Sequence, residues 1–480
     1  MTRTSRKDFL RAAGVAAIAA SPLGRVLAQG TGQTRRPNII LILGDDLGYA
    51  ELGCYGQQKI RTPQIDALAR EGIRFTQCYA GSPVCAPSRC VLLTGKHSGH
   101  AFVRDNAEIQ PEGQLPLPAD TVTLPRLLQH GGYRTALIGK WGLGYPGSSG
   151  DPMHQGFDRF FGYNCQRHAH DHYPAYLWRD TTKVDLRAGA ASGSAHPFAP
   201  DLMEAEALDF ISANRSRPFF LFYATTLPHL ALQVPDDMRD AYRGQWDDPP
   251  YDGSQGYLPC AHPRATYAGM VSHLDRTVGR IIDRVASLGI AGETIIIFAS
   301  DNGSTFTIGG YDPPFFQGTG PFRAAKGSVY EGGIRVPLVV HWPGVITGGR
   351  MSEQVCAFQD LLPTVLDLAG LKGTIPEDTD GISLAPGLCG RSGQAEHASL
   401  YFEFPGYGGQ QMVRMGDWTG VRQDLLKDPA APIELYDLRN DIGQRQDVAA
   451  SHPDILARMA DILLASHRPS TAFPFPALDH

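Results

Sequence analysis

The sequence predicts an α/β protein: a large mixed, mostly parallel sheet sandwiched by helices, followed by a smaller antiparallel sheet with a terminal helix. Three observations predict it. Continuous apolar runs of strand length alternate with segments of helical spacing as far as residue 299. Each of these runs stops at a polar or glycine-containing turn. From about residue 396 the pattern changes to short alternating segments, which suits an antiparallel sheet packed as a second unit.

The first strand is 39–43, Ile-Ile-Leu-Ile-Leu, stopped by Gly44-Asp45-Asp46. Thr62-Pro63 opens a helix with Ile65, Leu68 and Ala69 on one face, ending near Gly72. A second helix spans 123–131 and leads into a strand at 135–138, closed by Gly139-Lys140. The apolar run 219–224 is a third strand, followed by Pro228-His229. Helical spacing over 267–288 precedes a fourth strand at 294–299, which ends at Ser300-Asp301-Asn302-Gly303. Beyond the pattern change, strands are expected at 400–404, 411–415 and 434–436, with an amphipathic helix over 453–466. The expected organisation is a catalytic unit over 36–395 and a C-terminal α+β unit over 396–480.

Composition bounds the function. In 480 residues, 43 Lys and Arg face 49 Asp and Glu, a net charge of −6 that excludes a basic nucleic-acid binder. With 42% hydrophobic and only 19% charged residues, the chain is neither disordered nor coiled coil. The 54 glycines and 36 prolines demand many turns and loops, the usual place for a site. Residues 1–30 read as an export signal: Arg6-Lys7 and Arg11 precede a small apolar run at 12–20, then Val26-Leu27-Ala28 offers a cleavage site. It is twin-arginine-like, with Lys7 in place of the second Arg, and implies export machinery and a periplasmic or secreted product with no membrane span. Eight cysteines without C-x-x-C spacing form neither a zinc nor a redox pattern, and an oxidising compartment would permit disulfides among them.

Asp45-Asp46, Lys140, His229 and Asp301-Asn302 all follow the C-terminal ends of expected strands, where open parallel sheets form their ligand crevice. Asp45, Asp46, Asp301 and Asn302 are hard oxygen donors. They suit calcium, with magnesium as the alternative, better than zinc.

Between them lies Ser82-Pro83-Val84-Cys85-Ala86-Pro87-Ser88-Arg89, a helix start with proline in its first turn. Followed by Leu92-Leu93-Thr94-Gly95, this C-x-P-S-R segment resembles the signature of the formylglycine-dependent sulfatases, arylsulfatase-type members of the alkaline phosphatase-like superfamily. The resemblance extends through Gly139-Lys140-Trp141, Pro228-His229, Asp301-Asn302-Gly303, Lys326-Gly327, Tyr330-Glu331-Gly332-Gly333 and residues 434–438.

The resemblance implies that a formylglycine-generating enzyme oxidises Cys85, and that the aldehyde hydrate attacks a sulfate ester. Asp45, Asp46, Asp301 and Asn302, with an oxygen of the modified Cys85, would bind the metal. Arg89 would stabilise the hydrate, and Lys140, His229 and Lys326 would hold sulfate oxygens or assist the leaving group. Many relatives carry His two residues after the lysine, where this chain has Gly142. His168 and His170 are the expected substrate-side replacements, with His229 acting alone as the alternative. Tyr163, Tyr173, Tyr176, Trp178, Tyr311, Phe315 and Phe316 are either stacking surfaces for a sugar or aryl group or ordinary packing. The expected substrate is a sulfated saccharide, then an aryl sulfate. The competing readings are a phosphonate or phosphodiester hydrolase of the same superfamily and an inactive binder of sulfated glycans.

Overall fold

The structure is a computed structural model and describes residues 36–187 and 196–479, so the expected export signal lies outside the described residues. The strands of the large sheet are β1 (Asn38–Gly44), β2 (Ile73–Tyr79), β3 (Arg134–Lys140), β4 (Arg159–Tyr163), β5 (Tyr176–Arg179), β6 (Thr182–Asp185), β7 (Phe219–Ala224), β8 (Thr294–Ser300), β9 (Arg335–His341), β10 (Arg350–Ser352) and β11 (Cys356–Ala357). The longer helices are α1 (Pro63–Glu71), α2 (Cys85–Thr94), α3 (Leu124–His130), α4 (Ala199–Ala213), α5 (Pro263–Ser287), α6 (Leu361–Leu368) and α7 (Pro453–Ala465). The order is β10-β2-β9-β8-β1-β7-β3-β4-β5-β6, with β11 beside β2. The centre, β8-β1-β7-β3-β4, is parallel; β9 is antiparallel to both β8 and β2, and β5 and β6 run antiparallel at the other edge.

Continuous apolar strands are needed because both faces of the sheet are covered. Ile39, Leu41, Phe220, Phe222, Ile295 and Ile297 face a layer containing Val91 of α2, Leu128 of α3 and Leu362 of α6. Their neighbours Ile40, Ile42, Leu221, Tyr223, Ile296 and Phe298 face Leu68 of α1, Ile211 of α4 and Leu274 of α5. This alternation is the period-two geometry of a strand acting on two layers at once.

A four-stranded antiparallel sheet follows, β12 (Leu400–Phe404), β13 (Gln410–Met415), β14 (Trp418–Arg422) and β15 (Glu434–Asp437), in sequence order. One face packs on Met459 and Leu463 of α7 through Tyr401, Val413 and Leu435; the other meets Tyr79, Val329 and Tyr330 through Phe402, Met412 and Tyr436. Residues 37–480 group as one compact unit. All eight cysteines are free thiols. Among the described residues no helix is long and apolar enough to cross a membrane.

The central strands approach so closely that β3 tolerates no side chain at residue 139. Gly139 has φ +123°, and a Cβ there would lie 1.9 Å from the carbonyl oxygen of Ala224 on β7. Gly139→Ala is expected to cost about 3 kcal/mol in urea denaturation, combining backbone strain with the separation of two strands that carry site residues. A loss below about 0.5 kcal/mol would mean that the contact relaxes freely.

Candidate active site

Four adjacent parallel strands deliver the site. The registers Gly44↔Ser300, Leu43↔Ala224 and Gly139↔Ala224 bring the ends of β1, β8, β7 and β3 to one level. The residues just beyond or at those ends, Asp45-Asp46, Asp301-Asn302, His229 and Lys140, therefore converge. Helix α2 supplies the fifth element. Its first residue is Cys85, its first turn contains Pro87, whose missing N–H is no loss there, and Arg89 follows Cys85 by four residues on the same face. The Ala86 N–H donates to Asn106 Oδ1 at 3.1 Å, and Gly95 (φ +69°) closes the helix.

Cys85 Sγ lies 3.4 Å from Asp45 Oδ1, 3.9 Å from Asp46 Oδ1 and 3.6 Å from Lys140 Nζ. Lys140 Nζ donates to Asp45 Oδ2 at 2.7 Å, and Lys326 Nζ to Asp46 Oδ2 at 2.7 Å. Arg89 Nη2 and Nε hold Asp301 Oδ2 at 2.7 and 3.2 Å, and Arg89 Nη1 donates to the Lys140 carbonyl. Asp301 Oδ1 accepts the Asp46 N–H at 3.1 Å, and Asn302 Nδ2 donates to Asp46 Oδ1 at 2.8 Å. All of these residues are buried except Lys326, which is partly so.

The charges are strongly coupled. Burial raises Asp45, but Lys140, His229 and Arg89 outweigh it and hold the carboxyl well below the usual range. Burial and the neighbouring Asp45 push Asp301 up to about 6. Burial pushes the Cys85 thiol up in spite of Lys140 and Lys326. A thiol protonated in this way is a poor nucleophile, so the unmodified side chain is not poised to attack.

His229 projects from the loop after β7. Its Nδ1–H donates to the Leu230 carbonyl at 2.6 Å, so Nε2 faces Lys326 Nζ at 3.2 Å and Asp46 Oδ2 at 3.4 Å. Burial and then Lys326 lower its basicity well below the ordinary imidazole range. His172, buried, bonds the His229 carbonyl at 2.9 Å and Thr226 Oγ1 at 3.0 Å, bracing that loop.

The two other histidines part company. His170 stacks on His229 with ring centres 4.8 Å apart, and Tyr257 stands 5.5 Å from His170. His168 turns away: its ring packs on Tyr176 at 4.3 Å, and Nδ1 is 3.5 Å from Glu112. Glu112 also accepts from Tyr176 and from Trp178 Nε1, so those aromatics serve an ion and hydrogen-bond cluster. Tyr163, Tyr311 and Phe316 are buried packing residues, not stacking surfaces. Tyr257 escapes a reading of the sequence because its segment carries no periodicity or motif.

One ligand atom each from Asp45, Asp46, Cys85 and His229 lie within 4.8 Å of one another. Asn302 Oδ1 is buried with no hydrogen-bond partner among the described residues. An orphaned amide oxygen beside three buried carboxylates fits a hard cation, which would supply the missing partner.

The family model described as Sulfatase matches residues 37–371, and that described as N-sulphoglucosamine sulphohydrolase, C-terminal, matches residues 324–466. Arylsulfatase A of Homo sapiens is 32% identical, covering 94% of this chain and 91% of that protein. N-acetylgalactosamine-6-sulfatase of Sus scrofa is 33% identical, covering 75% of this chain and 67% of that protein. A solved structure described as Ps i-CgsB in complex with k-i-k-neocarrahexaose superposes with a TM-score of 0.76 at 27% identity, covering 93% of this chain and 95% of that one.

Proposed function

The chain belongs to the sulfatase family and is a sulfuric ester hydrolase, and from that premise we propose that it acts on sulfated carbohydrates through an oxidised Cys85. The observation that carries the reading is the burial of Cys85 between Lys140, Asp45 and Asp46 at the ends of four neighbouring strands. The carbohydrate substrate is supported by relatives whose names specify N-acetylgalactosamine-6-sulfate chemistry and a neocarrahexaose complex.

A formylglycine at residue 85 supplies an aldehyde hydrate, an oxygen nucleophile that a thiol cannot replace. Asp45, Asp46, Asp301 and Asn302 would hold a divalent metal, calcium or alternatively magnesium, which withdraws charge from oxygens brought to it. The remaining work falls to this chain's own side chains. Lys140 and Lys326 approach Cys85 and Asp46 respectively, and would neutralise the sulfate oxygens. Arg89, fixed by Asp301 and the Lys140 carbonyl, would orient the hydroxyl groups of residue 85. His229 Nε2 is the atom at which a proton would pass to the departing alcohol oxygen, an anionic ester beside it acting against the burial and the Lys326 charge that lower its basicity. Export through residues 1–30 would place this reaction in the periplasm or outside the cell, after modification of Cys85 by a formylglycine-generating enzyme.

Parallel assays of a sulfated monosaccharide, nitrophenyl sulfate, a phosphate diester and a phosphonate monoester test the assignment. The sulfates are expected to give the higher kcat/KM; higher efficiency on either phosphorus ester would overturn it.

The histidines make a second test. His170→Ala is expected to lower kcat/KM for the sugar sulfate by about tenfold or more, and to affect nitrophenyl sulfate less, because phenolate needs little protonation. His168→Ala is expected to leave both rates within about threefold and to lower Tm by a few degrees through Glu112 and Tyr176. Equal, small effects of both variants on both substrates would remove His170 from the site.

A further inference from the structure

The hairpin between β12 and β13 reads Phe404-Pro405-Gly406-Tyr407-Gly408-Gly409-Gln410. The Gly409 N–H donates to the Gly406 carbonyl at 3.1 Å, and both residues between them have positive φ, +48° at Tyr407 and +94° at Gly408. Such a turn favours asparagine, aspartate or glycine at its first central position, so Tyr407 is held against its own backbone preference. The residue is 65% exposed, and its ring meets little of the protein beyond Phe404, edge-on at 5.6 Å, and Gly327. Packing does not account for a strained, exposed aromatic, and residues of this kind gather at ligand sites.

The place of the ring is fixed beside the active site. A Cβ at Gly327 would lie 2.2 Å from Tyr407 Cε2, so the ring lies directly on the backbone next to Lys326. Lys326 Nζ in turn reaches Asp46 Oδ2 and His229 Nε2. Gln410, on the same hairpin, donates through Nε2 to the Gly327 carbonyl at 2.8 Å and accepts the Val329 N–H at 3.1 Å. The Gly327 N–H donates to the carbonyl of Pro83, two residues before Cys85, at 2.9 Å. The hairpin tip therefore rests on the segment that carries Lys326, which is itself tied to the approach to Cys85.

A carboxylate stands at the same tip. A Cβ at Gly406 would lie 2.7 Å from Asp105 Oδ2. Asp105 Oδ1 accepts the Asn106 N–H at 2.7 Å, and Asn106 Oδ1 accepts the N–H of Ala86, the residue after Cys85. No side chain donates to Asp105 among the described residues, and burial raises its carboxyl to about 6. An exposed aromatic face beside a carboxylate with spare acceptor capacity suits a sugar, which offers C–H bonds on one face and hydroxyl groups around its edge.

We infer that Tyr407 and Asp105 form the saccharide subsite beside the sulfate pocket, Tyr407 stacking on the face of a pyranose ring and Asp105 accepting from one of its hydroxyl groups. The inference rests on the sulfatase reading and deepens it by naming what holds the sugar. It also sets a specificity: the sugar position facing Asp105 must carry a free hydroxyl, because a second sulfate there would meet a like charge.

The test uses the full-length enzyme with modification of Cys85 verified by mass, and compares Tyr407→Ala, Tyr407→Phe, Tyr407→Gly and Asp105→Ala. The substrate is whichever of N-acetylgalactosamine 6-sulfate and a carrageenan hexasaccharide wild type hydrolyses with the higher kcat/KM. Inhibition by inorganic sulfate reports the sulfate pocket alone. Tyr407→Ala, Tyr407→Gly and Asp105→Ala are expected to raise KM by about tenfold or more with kcat within about threefold, the pattern of lost binding. Tyr407→Phe keeps the ring and should stay within about threefold of wild type in KM. Inhibition by sulfate should stay within about twofold in all four variants, since none touches the anion. Tyr407→Gly should keep or raise Tm, because glycine suits the positive φ; a merely structural tyrosine would show a fall.

Either Tyr407→Ala or Asp105→Ala within twofold of wild type in saccharide KM would overturn the inference while leaving the sulfatase reading intact. Sulfate inhibition weakened in step with KM would also overturn it, since the damage would then lie in the sulfate pocket. Wild type that hydrolyses nitrophenyl sulfate but neither saccharide would overturn the carbohydrate reading and the subsite together.

Discussion

Cys85→Ala is expected to lower turnover of sulfate esters by roughly 10⁴- to 10⁶-fold, the scale of losing a covalent nucleophile. The surrounding charges should keep their places, because Lys140 pairs with Asp45, Lys326 with Asp46 and Arg89 with Asp301 without help from the sulfur. Circular dichroism and Tm should therefore change little. Cys85→Ser is more discriminating. One hydroxyl can accept sulfate, but there is no second hydroxyl whose deprotonation expels it, so a single stoichiometric release of alcohol should be followed by no steady state. Sustained turnover by either variant would move the nucleophile elsewhere.

Removal of the divalent metal is expected to cost about 10³-fold or more, consistent with the several kcal/mol that a cation contributes to charge stabilisation. Calcium should restore activity and raise Tm, as a ligand bound only by the folded state must. The structure also decides which ligand variant is informative. Asp301 holds Arg89 in a buried ion pair, so Asp301→Ala should abolish activity and also destabilise the fold by about 3–5 kcal/mol, confounding the two effects. Asn302 is the cleaner probe because its Oδ1 has no partner to lose among the described residues. Asn302→Ala should weaken calcium rescue by about tenfold or more with a smaller change in Tm. Full turnover after exhaustive chelation would contradict the oxygen-ligand site.

The parts of this fold legible in the sequence are those in which one physical demand dominates. The central strands are buried on both faces and must be apolar throughout, so 39–43, 219–224 and 294–299 stand out within a residue of their ends. Their polar stops are legible for the same reason, and with them Asp45, Asp46, Lys140 and Asp301. Strands outside the parallel centre are less legible. β2 is only partly buried along its length, β6 is mostly exposed, and β9, although buried, carries Pro337 and polar ends, so none of them has a clean pattern. Helix α6 is buried along almost its whole length, and α4 carries alanines on its exposed side at 205 and 213, which blurs the 3.6-residue period in both.

The site divides along similar lines. Type and motif identify residues whose chemistry is unusual wherever it occurs, such as a Cys-x-Pro-Ser-Arg helix start. They do not say which of three neighbouring histidines points inward, because His168, His170 and His172 differ only in the loop geometry that follows β4.

The most direct test of the account is the chemical state of residue 85 in catalytically active protein. The tryptic peptide spanning 75–89 contains Cys78, Cys85 and Arg89, and its fragmentation spectrum locates any change to a single residue. Protein that hydrolyses sulfate esters should carry an aldehyde at residue 85 and an unmodified thiol at Cys78, with specific activity proportional to the aldehyde fraction across preparations. Full activity from protein whose residue 85 is quantitatively an unmodified thiol would contradict it.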